Sequence, residues 1–148
     1  NLMAQRINNA ADATLLVADL VADLAELFDK SAYSTSGIGY AAGAGGTVTQ
    51  ATNKSTTVVL NKTTGQITMN AASLAAGTSV AFQLTNSTIT ANDVLVTKMK
   101  NGTGTGGAYL IQAQADAGAA VVHVRNLTGG ALAEAIVITF VVIKGQVA

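Results

Sequence analysis

The sequence predicts a mainly β protein: an antiparallel β-sandwich of about eight strands, preceded by an N-terminal α-helix and a glycine-rich arm. Three observations support this prediction. Apolar residues recur with a helical period over residues 1–30, small residues dominate residues 31–46, and short apolar runs alternate with turn sequences over residues 47–148. Eight strands are typical of a jelly roll and seven of an immunoglobulin-like sandwich, so both topologies stay open.

Residues 1–30 are predicted to be helical because apolar side chains recur in steps of three and four. Two interpretations of this helix are open: it packs on its own domain, or it forms an oligomerising seam such as a three-stranded bundle. We favour the seam. The residues predicted to contact other subunits or a capsid are Ile7, Val17, Val21, Leu24 and Phe28.

The segment 31–46 predicts a linker or extended arm, since five of its residues are glycine. Beyond it the hydrophobic period becomes two, which is typical of strands, and turn-forming residues separate the apolar runs. The predicted strands are Thr47–Gln50, Thr56–Leu60, Gln66–Met69, Thr78–Thr85, Val94–Lys98, Ala108–Gln114, Ala119–Arg125 and Ala135–Ile143.

The last predicted strand is apolar at almost every position, and therefore on both of its faces. A strand that is buried on both faces needs a cover beyond its partner sheet, which the N-terminal helix or a neighbouring subunit would supply. We predict that Ile136, Ile138, Phe140 and Val142 contact a second copy of the chain. Charged residues make up only 11% of the sequence and the net charge is zero, which also favours an assembly over a free monomer.

Few residues in the sequence are suited to catalysis. The chain has no cysteine, which excludes disulfides, thiolate metal sites and cysteine nucleophiles. The single histidine, His123, lies in a predicted strand, and the acids beyond residue 30 are Asp93, Asp116 and Glu134. A catalytic histidine needs a carboxylate to orient it, and none is near His123 in the sequence. We therefore predict a protein that is not an enzyme and that binds no metal and no cofactor.

Charge and hydropathy also bear on partners. Nucleic-acid binding needs clustered lysine and arginine, so the balance of eight basic and eight acidic residues argues against it. The longest apolar run, Ala135–Ile143, has about half of the roughly 20 residues that a membrane-spanning helix needs. Neither nucleic acid nor membrane is predicted as a partner.

Five Asn-x-Ser/Thr triplets occur in the sequence, a pattern that marks glycosylation acceptors in secreted proteins. The chain is rich in threonine, and such triplets arise readily from that composition. Because asparagine favours turns, we predict that these residues serve turns and strand edges instead. The triplets begin at Asn53, Asn61, Asn86, Asn101 and Asn126.

About three quarters of the chain, roughly residues 37–145, resembles a module of virion proteins from tailed bacteriophages. The similarity is carried by Gly43–Thr56, Val59–Lys62, Gly65–Asn70, Leu74–Ser87, Val124–Asn126 and Glu134–Gly145. The resemblance implies a structural role in head decoration, cementing or the base of a head fibre, usually as a trimeric β-sandwich. It implies no catalytic residues, and it does not include the N-terminal helix.

These observations lead to one functional hypothesis and one alternative. The hypothesis is a cement or decoration protein on the capsid surface of a phage virion, which binds the major capsid protein and associates with itself as a homotrimer. The alternative is a receptor- or glycan-binding module of a tail fibre or bacterial surface adhesin. That module would bind through the loops Asn86–Asp93 and Asn101–Gly107, since binding residues are often carried on loops.

Overall fold

The computed structural model describes residues 17–22 and 39–147. The chain divides into two units, one ending at Gly39 and the other beginning at Tyr40. In the first unit, residues 17–22 form a helix, α1, in which Val17 and Val21 are exposed. Of the predicted helix contacts, Ile7, Leu24 and Phe28 lie outside the described residues. The partner contact predicted for Val17 and Val21 therefore stays a prediction.

The second unit contains eight strands, and each overlaps one of the eight strands predicted from the sequence. They are β1 (Gly45–Thr49), β2 (Val58–Val59), β3 (Thr64–Thr68), β4 (Ser79–Thr85), β5 (Val94–Met99), β6 (Tyr109–Asp116), β7 (Ala119–Asn126) and β8 (Val137–Ile143). β1 begins inside the segment predicted as an arm. Alternation of apolar and polar residues was therefore a sound guide to the strands.

The eight strands form two four-stranded sheets. The first sheet has the order β1-β3-β8-β5 and the second has the order β2-β4-β7-β6. Both sheets contribute side chains to a single hydrophobic core, which includes Ile67 and Phe140 from the first sheet and Phe82, Leu84 and Val122 from the second. Two sheets around one core agree with the coarse architecture that the sequence predicts.

The sheets are mixed, which corrects the prediction of an antiparallel arrangement. β1 pairs with β3 in parallel, and β2 pairs with β4 in parallel, while the remaining pairs are antiparallel. The chain alternates between the sheets from β1 to β4, so it returns to each sheet in the same direction as before. A parallel pair needs such a crossover, and here a strand of the other sheet lies within each crossover.

The structure also corrects the role predicted for the last strand. Ile136, Ile138, Phe140 and Val142 are 0–1% exposed and belong to the core of their own domain. A second subunit cannot contact them without opening that core. Successive residues of a strand point to opposite faces, so the outward positions of β8 are Val137, Thr139, Val141 and Ile143.

Candidate functional site

Four β-branched residues form an apolar patch on the outer face of the first sheet. Val94 pairs with Ile143 and Val96 pairs with Val141 across the antiparallel strands β5 and β8. Val94, Val96 and Ile143 are 57%, 53% and 52% exposed, and Val141 is half-buried. Direct cross-strand partners have Cβ atoms about 5 Å apart, so the four side chains form one continuous surface, the β5/β8 patch.

A shallow depression of about 370 Å³ lies on the same sheet and reaches the strands next to the patch. Its lining consists of small and polar residues, namely Gly45, Gly46, Thr47, Thr64, Gly65, Gln66 and Thr139. A Cβ built at Gly45 would make only an ordinary van der Waals contact, with Thr64. Glycine at this position therefore leaves the surface of the sheet open. The outer face of the first sheet therefore combines an apolar surface with an adjoining concavity.

The asparagines of three Asn-x-Ser/Thr triplets organise turns through the same hydrogen-bond pattern. In the triplets that begin at Asn53, Asn86 and Asn126, the asparagine Oδ1 accepts from both the backbone N–H and the hydroxyl of the residue two positions later. Asn86 and Asn126 are fully buried. Their side chains are thus occupied inside the protein, as the predicted role in turns and strand ends requires.

Asn126 joins three chain segments at the end of β7. Its Nδ2 donates to the carbonyl oxygens of Leu74, Ala75 and Gly130 at 3.0, 3.2 and 2.7 Å. Asn86 has a smaller role at the end of β4, where its Nδ2 donates to the Lys62 carbonyl at 2.7 Å. The Leu74 carbonyl also accepts from the Leu132 N–H, so Asn126 adds a side-chain bond to a backbone bridge and ties both to the end of β7.

A buried lysine and an adjacent carboxylate form a polar cluster that the sequence did not predict. Lys54 Nζ donates to the carbonyl oxygens of Asn70 and Glu134, both at 2.6 Å. Glu134 Oε1 accepts from the backbone N–H and the hydroxyl of Thr105, and its Oε2 accepts from the Tyr109 hydroxyl at 2.8 Å. The cluster connects loops that are distant in the sequence. No local sequence signal distinguishes this buried lysine from an exposed one.

The pKa values in this cluster follow from its contacts. Burial lowers the pKa of Lys54, and the nearby Glu134 carboxylate partly offsets that effect. Hydrogen bonds from Thr105 and Tyr109 lower the pKa of Glu134, while burial and the same carboxylate raise the pKa of Tyr109. The lowered pKa of Glu134 favours its carboxylate and the raised pKa of Tyr109 favours its neutral phenol, the forms that donate and accept in the observed bond.

An ion pair between Asp93 and Lys144 joins the start of β5 to the end of β8. Lys144 Nζ lies 2.5 Å from Asp93 Oδ2, and the other carboxylate oxygen accepts from the Gly145 N–H at 3.1 Å. The hydrogen bond from Lys144 is the main reason that the pKa of Asp93 is well below its usual range. Gly145 is required here, because a Cβ at this position would lie 1.8 Å from the Asn92 carbonyl oxygen.

The residues considered for catalysis do not converge. His123 lies on the outer face of β7, Asp93 binds Lys144, Asp116 ends β6, and Glu134 belongs to the lysine cluster. Within the described residues, no three side chains of the metal-ligating types are grouped to hold an ion. In that same part of the chain, every helix is too short or too polar to span a membrane.

Comparisons with protein-family models, with curated proteins and with solved structures each found no match. The β5/β8 patch is the leading candidate for a functional surface, because an exposed, contiguous apolar surface commonly marks a protein–protein contact. The sequence analysis identified the apolar last strand, but it missed the contribution of Val94 and Val96 from β5.

Proposed function

We propose that this chain is a structural protein of a tailed-phage particle, a β-sandwich of the jelly-roll or immunoglobulin-like type that decorates or cements the capsid surface as a homotrimer. The observation that carries the proposal is the β5/β8 patch. Its apolar side chains face solvent in the single chain, and burying them against another subunit would be favourable by about 25 cal/mol for each Å² of apolar surface.

The surroundings of the patch are suited to a subunit interface. Specific protein interfaces bury about 1,200–2,000 Å² in total, with an apolar centre and a polar rim. The patch would be that centre, and the threonines of β1 and β3, together with Lys98, would form part of the rim. Few side chains in this region are long, so the entropy lost on association would be small.

The resemblance to virion modules supports a role in a phage particle. The low charge of the chain supports association with other subunits, because a free monomer with few charges would be poorly soluble. The major capsid protein is the proposed second partner. Contacts to it would be spread over a wide area of backbone and small side chains, because the chain has few aromatic residues to act as binding hot spots.

Two measurements test the proposal. Light scattering on the purified full chain gives its native mass, and we expect three times the mass of one chain; a monomer would contradict the trimer. Quantitative mass spectrometry of purified particles from the phage that encodes the chain gives its copy number. We expect hundreds of copies in each particle. A few copies, with saturable binding to host cells, would instead favour the receptor-binding alternative.

A further inference from the structure

The outer face of the second sheet contains a polar groove, whereas the β5/β8 patch on the first sheet is apolar. The groove has a volume of about 240 Å³ and crosses β4, β7 and β6. Its lining residues, Ser79, Leu110, Gln112, Gln114, His123 and Arg125, define the β6–β7 groove. These positions alternate along their strands, which places their side chains on one face.

The strand register places the lining residues in three successive rows, and Gln114 lies in the third, opposite Val121. Arg125 pairs with Ser79 on one side and with Leu110 on the other. His123 pairs with Gln112 in the next row. Cross-strand partners lie within about 5 Å and diagonal neighbours within about 8 Å, so one small molecule can contact Arg125, His123 and Gln112 together.

The polar groups of the groove are not used to hold the fold together. Among residues 17–22 and 39–147, no carboxylate lies within ion-pair distance of Arg125, and the side chains of Gln112, Gln114 and His123 make no hydrogen bond. A set of donors and acceptors that converges on one depression and has no partner within the described chain is typical of a ligand site.

The side-chain chemistry indicates the class of ligand. The planar guanidinium of Arg125 presents paired donors that match a carboxylate. The amides of Gln112 and Gln114 each donate and accept, which suits hydroxyl groups, and the half-exposed side chain of Leu110 offers an apolar contact for C–H groups. The groove is below the usual range of about 300–1,000 Å³ for drug-sized ligands, so it has room for roughly one sugar ring.

We propose that the β6–β7 groove binds a carboxylate-bearing sugar unit, with Arg125 pairing to the carboxylate and Gln112 bonding to the ring hydroxyls. The groove lies on the second sheet and the β5/β8 patch on the first, and the two surfaces adjoin at a depression lined by Val96, Gln112 and Gln114 among others. The proposal does not rest on the virion role. It names a ligand class and a surface different from the loops considered in the sequence analysis.

The test uses His123, the only histidine of the chain, as a reporter within the groove. The imidazole proton signals of the full chain are followed by NMR at constant neutral pH during titration with glucuronate, glucose or acetate. We expect a saturable shift with glucuronate, no shift with glucose, and a much weaker response to acetate. An equal affinity for acetate would overturn the sugar assignment, and the absence of a saturable shift with glucuronate would overturn the site.

Two variants distinguish the paired hydrogen-bond donors of the Arg125 guanidinium from the effect of its positive charge alone. Arg125→Gln removes the cation and is expected to weaken glucuronate binding at least about tenfold, since a hydrogen bond to a charged group is worth about 1.5–3 kcal/mol. Arg125→Lys keeps the charge but loses the fork, so binding falls to an intermediate value. Lys62→Gln is the matched control, because Lys62 is an exposed cation in the loop between β2 and β3, away from the groove. Unchanged binding by Arg125→Gln, or equal loss by Lys62→Gln, would refute the proposal.

Discussion

Val96 and Val141 are direct cross-strand partners whose side chains both point away from the core. Val94 and Ile143 repeat this relationship two residues further along the strands. The β5/β8 patch is therefore a product of pairing between residues that lie 45 and 49 positions apart in the sequence. It gives the apolar last strand a second use, since one face of β8 builds the core and the other is available to a partner.

The first prediction concerns the patch. Val96→Lys places a charge in its centre, and we expect the trimer to dissociate to monomers because an unpaired charge is costly to bury in an apolar interface. Val59→Lys is the matched control, since Val59 is a valine of the second sheet with a similar exposure of 59%. Light scattering on both variants measures the effect. If the Val96→Lys variant is still a trimer, the patch is not part of the subunit interface.

The second prediction concerns the core. Leu84 is fully buried among residues of both sheets, whereas Leu127 is exposed just after β7. Leu84→Ala should lower the free energy of unfolding by about 2–5 kcal/mol, because it removes apolar contacts and leaves a cavity. Leu127→Ala should change it by less than about 0.5 kcal/mol. Urea denaturation checks both values, and similar effects of the two substitutions would contradict the shared core.

The third prediction concerns Asn126. Asn126→Asp keeps the size of the side chain but replaces the donor that serves three carbonyl oxygens with an acceptor. We expect a loss of at least about 3 kcal/mol in the free energy of unfolding, since a buried carboxylate would face these carbonyl oxygens without donating to them. Asn101→Asp changes the same triplet pattern at an exposed position and should have little effect. Urea denaturation distinguishes the two, and equal stability would exclude the structural role of Asn126.

The fourth prediction concerns the stability of the fold at acidic pH. The pKa of Asp93 is lowered in the folded chain, so the unfolded state takes up a proton first as the pH falls. The contribution of Asp93 to stability is therefore complete above its ordinary pKa of about 4 and decreases below it. Asp93→Asn should reduce the difference in urea midpoint between about pH 7 and about pH 3. Asp116→Asn is the control, and a difference unaltered by Asp93→Asn would argue against this account.

The fifth prediction concerns Gly145. Gly145→Ala would force a Cβ against the Asn92 carbonyl oxygen, which belongs to the backbone and cannot rotate away. We expect a loss of more than about 1 kcal/mol in the free energy of unfolding, together with a weaker bond from the Gly145 N–H to Asp93. Gly106→Ala meets open space and should be nearly neutral. Thermal denaturation measures both; a neutral Gly145→Ala would show that the loop of Asn92 adapts without cost.

Local pattern was sufficient to locate the strands but not to arrange them. Alternation and the intervening turn residues predicted most strands of the second unit, and a continuous apolar run predicted β8, because these patterns are properties of neighbouring residues. The parallel pairs β1–β3 and β2–β4 were missed. Alternation shows that a strand has two faces, but it does not identify the strand beside it or the direction of that strand.

The candidate sites also include residues whose role was predicted from the sequence and residues whose role was not. The turn role of Asn86 and Asn126 was predicted, because both follow strands and both begin the same triplet. The burial of Lys54 was not predicted, since its partners are carbonyl oxygens of Asn70 and Glu134 and lie far away in the sequence. The same is true of the β6–β7 groove, whose lining comes from three strands.

The sequence by itself determined the mainly β class, the number and approximate limits of the strands, and the turns that separate them. Only the tertiary structure decided which side of β8 forms the core. Ile138 and Val141 are both apolar, but Ile138 is buried in the core and Val141 lies on the outer face. Which residue takes which position depends on the register between β8 and its neighbours. A shift of one residue would exchange the two faces, and it is the packing of both sheets around one core that selects between these registers.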